Sequence, residues 1–469
     1  MRTVVIGGGI SGLACAYRLR QRGVPVLLLE QASRVGGAIC SVRQEGFLFE
    51  LGPQSFLSTD LLLELIESLG LWPELQHADS RAPRYILQAR RLHALPLAPP
   101  ALLTTSLLSL GSKLRLLSEP FRRTRPPEDD ESVAAFVRRK FSADLLENFV
   151  APFVSGVYAG DPEKLSLRSA FPSAYQWEKE YGSVLRGALK SRPPKGKPRP
   201  ALCSFPGGVE TLVRTLGEKL GDALERETAV VSIKRGRANG QSAFTMEVTS
   251  SRGAAEIHAD VIVMAVPTRA AGRLLASVSE SFANQLNRIE YAPVAVVATG
   301  YRRDQVGHPL AGFGFLVPRK EGLRTLGTVW NSSLFPGRAP EGMVCLTSFA
   351  GGATDPELVK LPADEILEIV SGEVASVLNI TGAPVASLVQ RYDAALPQYN
   401  LGHGKVIAGL RELCAGVPGL FLAGNYLGGP SIGSCVEQAF AAAEAVNRHL
   451  AAPAASGATP QSYTKATPS

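Results

Sequence analysis

The sequence predicts an α/β fold with α+β inserts, and three observations at the two ends of the chain carry that prediction. Residues 3–6, Thr-Val-Val-Ile, are a short apolar, β-branched run of the kind that fills a buried parallel strand. Gly7, Gly9 and Gly12 then spell G-x-G-x-x-G, a helical pattern runs to Gly23, and a second strand, 26–29, ends on Glu30. Near the other end, Leu420-Phe-Leu-Ala leads into a turn and another helix. Strand, turn, helix, strand and acid in this register form a Rossmann-like unit.

Each part of the opening has a physical task. Gly7 permits the tight turn out of the strand, Gly9 lets backbone approach a pyrophosphate, and Gly12 lets the helix pack on the sheet. The free N–H groups and positive end of the helix then face the phosphates. Gly8, Ile10 and Ser11 share that turn and are taken as contacts with it, while Glu30 stands where an acceptor meets ribose hydroxyls.

The continuation is Gln31-Ala-Ser-Arg34-Val-Gly36-Gly37-Ala38. G-G-G-x-x-G, then Glu, then R-x-G-G resembles the FAD-binding opening of the amine oxidase, phytoene desaturase and protoporphyrinogen oxidase superfamily. The resemblance implies a cofactor domain of the glutathione-reductase and amine-oxidase type holding FAD. It places Arg34 near the phosphates and brings the backbone of Gly36 and Gly37 close to the cofactor, with Gln31 and Ala38 beside them. Phe47-Leu-Phe-Glu50-Leu-Gly52-Pro53-Gln54-Ser55 is similar to an F-E-x-G-P element whose turn passes the flavin ring, so Gly52, Pro53, Gln54 and Ser55 are expected contacts.

Composition sets bounds. A chain of 469 residues exceeds one ordinary core, so two or three domains are expected. Hydrophobic content of 45% against 19% charged leans apolar, and a net charge of +7 favours anionic surfaces. No zinc-finger, homeodomain or RNA-binding signature accompanies that charge, so nucleic acid is the weakest partner. The six cysteines are scattered without C-x-x-C pairing, which argues against a disulfide framework or zinc site and fits a reducing compartment. No signal peptide is visible, and no apolar run is long enough to span a bilayer.

Farther along, residues 60–69 predict a helix capped by Ser58 or Thr59 and ended by Gly70, and 210–220 predict another. The stretch 229–233 resembles the superfamily strand whose backbone meets the adenine, which points to Val230. Residues 259–267 read as a buried parallel strand. After the 420–423 strand come Gly424 and Asn425, then Gly428-Gly-Pro-Ser431-Ile432-Gly433 opening a helix whose N-terminus can stabilise negative charge on a reduced flavin. Cys435, inside that helix start, is expected to be a small buried residue, so the FAD is non-covalent. His403 is the one proton-transfer candidate, and a structural role is preferred for it.

The middle of the chain resembles protoporphyrinogen oxidases in particular. In that family an arginine at the position of Arg84 faces the substrate. The element Val154-Ser-Gly156-Val-Tyr-Ala-Gly160, continued by Leu165-Ser166 and Phe171-Pro172, matches one whose glycine, here Gly156, offers its carbonyl to pyrrole N–H groups. Three strands, 313–317, 325–330 and 343–349, put Gly314 with Leu316, Gly327 with Val329, and Thr347 with Phe349 on common faces. Glycines beside bulky apolar residues leave flat space for a planar ligand, and Leu316, Val329 and Phe349 are the expected wall. The cluster Leu107, Leu108, Leu110, Leu114, Leu116 and Leu117, with Lys113, Arg115, Arg122, Arg123 and Arg125, suits either a helix at a membrane surface or a core helix with a solvated basic flank. The loop 190–199 is Pro-rich and basic, and the tail 451–469 is expected to fray.

The expected domains are therefore a discontinuous FAD-binding domain (1–57, 204–271, 389–450), a mixed-sheet substrate domain (58–80, 272–388), and a helical membrane-associating domain (81–203). The resemblance implies oxidation of protoporphyrinogen IX by three two-electron steps, with O2 as acceptor, on the cytoplasmic side of a membrane. A haem-pathway enzyme taking the product and a homodimer are further possible partners. Alternatives are a coproporphyrinogen III oxidase of the same architecture, an amine oxidase, and a non-enzymatic binding protein of the GDP-dissociation-inhibitor type.

Overall fold

The computed structural model describes residues 2–96, 104–191, 200–236 and 243–451. Most of the basic loop 190–199 and of the tail 451–469, and part of the leucine-rich stretch after Pro96, lie outside the described residues.

Both ends of the chain enter one parallel sheet. Its order is Leu224–Glu225, Val26–Leu29, Thr3–Ile6, Val261–Met264, Leu420–Leu422. Val4 stands opposite Leu27 on one side and Ile262 on the other. These strands are apolar on both faces because both are covered. Val5, Leu28 and Val263 bury against helices Ile10–Gln21, Glu210–Leu220 and Ile432–Ala451. Val4, Ile6, Ile262 and Met264 bury against a three-stranded meander, Thr228–Arg235, Phe244–Ser250 and Gly253–Ala259, and nearby helices. The helix at 210–220 begins and ends where the sequence predicts.

A second sheet has seven strands in the order Ala386–Pro397, Tyr291–Arg302, Met343–Gly351, Thr325–Val329, Gly314–Leu316, Arg84–Gln88, Arg91–Ala94. It is mixed, since Gly314–Leu316 runs parallel to Arg84–Gln88 and every other pair is antiparallel. Helix Ala363–Leu378 covers one face through Ile366, Val370, Val374 and Leu378. On the other face Ala298, Cys345 and Ala386 pack on Phe47 and Phe49 of the hairpin Ser41–Gln44/Phe47–Glu50.

The pairing redraws several expected boundaries. Residues 84–94 are strands of the seven-stranded sheet rather than part of a helical insert, and 389–397, the rest of strand Ala386–Pro397, pairs there rather than with the cofactor domain. Helix Asp60–Ser68 buries Leu62, Leu65 and Ile66 in the core of the parallel sheet. Leu274, Leu275, Phe282 and Leu286, from helices Thr268–Leu275 and Glu280–Leu286, fill the meander side of the same domain. Composition marks an amphipathic helix but not which sheet it covers.

Between Leu110 and Lys190 the chain is helical around a core of Val133, Phe136, Val137, Phe141, Leu146, Val154 and Leu167. Among the described residues no helix is long and apolar enough to cross a membrane.

Candidate functional site

The glycine-rich turn is built as a cradle. Gly7 has φ +107°, and a β-carbon on Gly12 would overlap the carbonyl oxygen of Gly7. At Gly9 nothing lies within 4 Å of where a β-carbon would stand, so backbone there faces open space at the start of helix Ile10–Gln21. Ile10 and Ser11 are buried in its first turn. Glu30 accepts from Gly8 N at 2.6 Å and from Ala32 N at 2.7 Å. Each carboxylate oxygen keeps a lone pair for a hydroxyl. The N–H of Thr228 donates to Glu30 O at 2.9 Å, bringing strand Thr228–Arg235 alongside. Val230 is half-buried on it, at an irregularity in the pairing.

The second glycine pair backs onto the first. Gly36 N donates to Gly8 O at 2.8 Å, and a β-carbon on Gly37 would stand 3.6 Å from the Gly9 α-carbon. Arg34 is exposed and donates to Gly37 O at 2.6 Å, Ile39 O at 3.1 Å and Val35 O at 3.2 Å. Its guanidinium thus ties the loop together while its charge stays beside the turn. Gln31 and Ala38 are exposed. A β-carbon on Gly52 would overlap Ala38 O, so the turn carrying Pro53 and Ser55, both half-buried, lies directly on this loop. Gln54 is buried, and its Nε2 donates to Glu50 O at 3.0 Å and Gly52 O at 2.9 Å.

The C-terminal segment closes the same region. Ala423 N donates to Met264 O at 2.9 Å, which seats Gly424 and Asn425 at the end of the parallel sheet. Tyr399 Oη donates to Asn425 O. Ser431 Oγ accepts from Ser434 N at 3.1 Å, and Ile432 and Gly433 are buried at the start of the long helix. Gly433 sits against Thr59, whose hydroxyl would lie 2.9 Å from an added β-carbon. His403 is buried, and its Nε2–H donates to Tyr426 O at 2.9 Å. Burial holds it below the usual histidine range, as a neutral structural group. Burial likewise pushes the Cys435 thiol up to about 11.

The seven-stranded sheet supplies a flat apolar face. Leu316 stands opposite Gly327 and Gly327 opposite Phe349, while Gly314, Val329 and Thr347 form the next row. Leu316, Val329 and Phe349 are half-buried amid buried neighbours. Gly156, on helix Ala151–Tyr158, is exposed and meets this wall, since a β-carbon on it would overlap Leu316. Arg84 begins the strand paired with Gly314, is exposed, and lies 5.2 Å from the centre of the Phe313 ring. The structure therefore brings Leu316, Val329 and Phe349 to neighbouring strands of one sheet, with Gly156 against Leu316 and Arg84 at the start of the strand next to Gly314.

One joint escapes the sequence. Glu50 and Arg338 are each 1% exposed and 3.2 Å apart, with Glu50 also accepting from Ser41 Oγ at 2.6 Å and Val209 N at 2.9 Å. Burial raises the Glu50 pKa against the pull of Arg338 and lowers that of Arg338. The available signal was a charge within the run Phe47–Glu50, every residue of which is buried.

Residues 10–447 match the family of flavin containing amine oxidoreductases. The chain belongs to that family. It is a flavin-dependent oxidoreductase, and the open backbone at Gly9, the anchored Glu30 and the two helix starts fit such a cofactor. Protoporphyrinogen oxidase 1 of Arabidopsis thaliana chloroplasts is 34% identical, over 95% of this chain and 88% of the relative. Coproporphyrinogen III oxidase of Bacillus subtilis is 31% identical, over 94% and 96%. The expected kinship with the amine oxidase and protoporphyrinogen oxidase superfamily is borne out. A solved structure from Exiguobacterium sp. 255-15 superposes with a TM-score of 0.81 at 25% identity, covering 95% of this chain and 98% of that one. Cyclohexylamine oxidase of Brevibacterium oxydans shares the fold at 18% identity, with a TM-score of 0.66 over 96% and 99%.

Proposed function

We propose that this chain oxidises protoporphyrinogen IX to protoporphyrin IX, using non-covalent FAD and molecular oxygen. The observation that carries the reading is the glycine-relieved wall of Leu316, Gly327, Val329 and Phe349 facing Gly156, a flat apolar surface suited to a macrocycle. Arg84 at its edge pairs a propionate by two parallel hydrogen bonds. The carbonyl of Gly156 accepts from pyrrole N–H, orienting the methylene bridge that loses hydride. When bound, the flavin supplies a two-electron acceptor that oxygen reoxidises, with hydrogen peroxide as product. Each of three rounds removes one hydride from a bridging carbon and one proton. Two of the three protons leave pyrrole nitrogens and the third leaves the remaining bridging carbon by tautomerisation, so that four C–H and two N–H bonds are lost in all. The adjacent cation makes each such N–H acidic, so no dedicated base is required, in keeping with His403 being buried and bonded to Tyr426.

The Bacillus relative favours a second reading, oxidation of coproporphyrinogen III. Anaerobic mixing with each reduced porphyrin, followed by flavin bleaching, separates the two. Faster bleaching by the substrate with two propionates supports the first reading. A strong preference for four propionates transfers the assignment to the second. No bleaching by either removes both. We also propose peripheral membrane contact through helix Leu110–Ser118, on the cytoplasmic side.

A further inference from the structure

We infer that Asn331 is a positioning residue that fixes the turn Gly52–Ser55, and with it the flavin, in register with the wall at Val329. The inference rests on that turn being the flavin's neighbour, as the proposed function has it.

Asn331 follows Val329 by two positions and opens the short helix Asn331–Leu334. It is 1% exposed, and its Nδ2 donates to Gln54 Oε1 at 2.6 Å. Gln54 has no freedom to answer differently. Its Nε2 already serves two carbonyls, Glu50 O and Gly52 O, so its oxygen must face a donor. The Asn331 amide is thereby oriented too, and its own Oδ1 is left buried without a hydrogen-bond partner among the described residues.

The link is also mechanical. From Asn331 to Arg338 the chain runs beside the hairpin that feeds the flavin turn. Leu48 N donates to Arg338 O at 3.0 Å, and Arg338 meets Glu50 at 3.2 Å. The segment is thus fastened to the 47–54 strand and turn at both of its ends, and it starts next to a residue of the slot wall. A change at Val329 reaches the flavin turn through one rigid span.

The test uses the full chain, with and without FAD. Asn331→Asp keeps the shape and replaces the donor by an acceptor facing Gln54 Oε1. Gln54→Ala cuts the same link from the other side. Titration of the flavin-free chain with FAD should show affinity weakened about tenfold in Asn331→Asp, the equivalent of one buried hydrogen bond, and at least as much in Gln54→Ala. The visible absorption band should shift, and kcat should fall with KM little changed. In the Gln54→Ala background, Asn331→Asp should add nothing further. Unaltered FAD affinity and spectrum in Asn331→Asp would overturn the inference, as would an undiminished effect in the Gln54→Ala background. A loss confined to the melting temperature of the flavin-free chain would reduce Asn331 to a structural residue. An unsubstituted chain that takes up no FAD would instead refute the reading of the turn itself.

Discussion

A carboxylate and a guanidinium buried together are not equivalent when one is removed. Glu50 can take up a proton, and burial already raises its pKa, whereas a guanidinium keeps its charge. Glu50→Ala strands Arg338 and should cost about 3–5 kcal/mol. Arg338→Met leaves Glu50 with its donors Ser41 and Val209 and should cost less, about 1–3 kcal/mol. A group whose folded pKa is raised favours the folded state at low pH and loses that contribution as pH rises through the folded value. The deficit of Arg338→Met should therefore narrow as the pH is lowered toward the ordinary carboxylate range. Urea midpoints of the flavin-free variants check both points, and an Arg338→Met deficit equal to that of Glu50→Ala would contradict the asymmetry. At this scale the sequence disclosed the residues whose spacing is local, such as Gly7, Gly12 and Glu30. Arg338 and Asn331 meet partners far away in the chain, and nothing in their own neighbourhoods marks them. Arg34 is a mixed case, found by its motif but engaged with carbonyls of its own loop.

Between elements, the contact of helix Ala151–Tyr158 with strand Gly314–Leu316 separates stability from binding. Gly156 has no left-handed backbone, and the atom its β-carbon would strike is the end of a flexible leucine. Gly156→Ala should leave stability equal or improve it by up to about 1 kcal/mol, since alanine is the better helix former. The same methyl group pushes Leu316 into the slot, so KM for the porphyrinogen should rise severalfold, roughly what about 1 kcal/mol of lost binding gives. Leu316→Ala in that background should restore much of the loss. Steady-state kinetics beside melting curves decide it, and a KM that stays put while stability falls would show the helix to be outside the slot. The common face of the three strands was legible from period two, because alternation is a property of each strand alone. Their register, and the joining of Arg84–Gln88 to the sheet, were not, because both depend on strands from distant parts of the chain. For the same reason the amphipathic helix Asp60–Ser68 was found but given to the wrong core.

Over the whole molecule the leucine-rich stretch divides in two. Leu107 and Leu108 are buried and Leu116 packs on the helical core, so half of the cluster is ordinary interior. Leu110, Leu114, Leu117 and Phe121 are 74%, 59%, 51% and 80% exposed, and their spacing sets them along one side of the helix and the turn after it. Exposed Arg122, Arg123 and Arg125 follow immediately. An apolar ridge flanked by cations is what an amphipathic helix needs to lie in an anionic lipid surface. The ridge is anchored to the rest of the fold at its base, where Ser109 caps the helix and Arg115 donates to Arg138 O and Arg139 O. It can therefore enter headgroups without unfolding the domain behind it. The full chain should float with vesicles containing phosphatidylserine, and added salt should weaken the attachment. Leu114→Glu with Leu117→Glu should reduce vesicle partitioning by at least about tenfold, because two large side chains lose their burial and two negative charges face the lipid. Flavin content and the rate with detergent-dispersed substrate should not change in that variant, since both side chains are exposed and fill no part of the core. A chain that stays at the bottom of the gradient, or a double variant that floats as well as its parent, would leave the ridge without a lipid role.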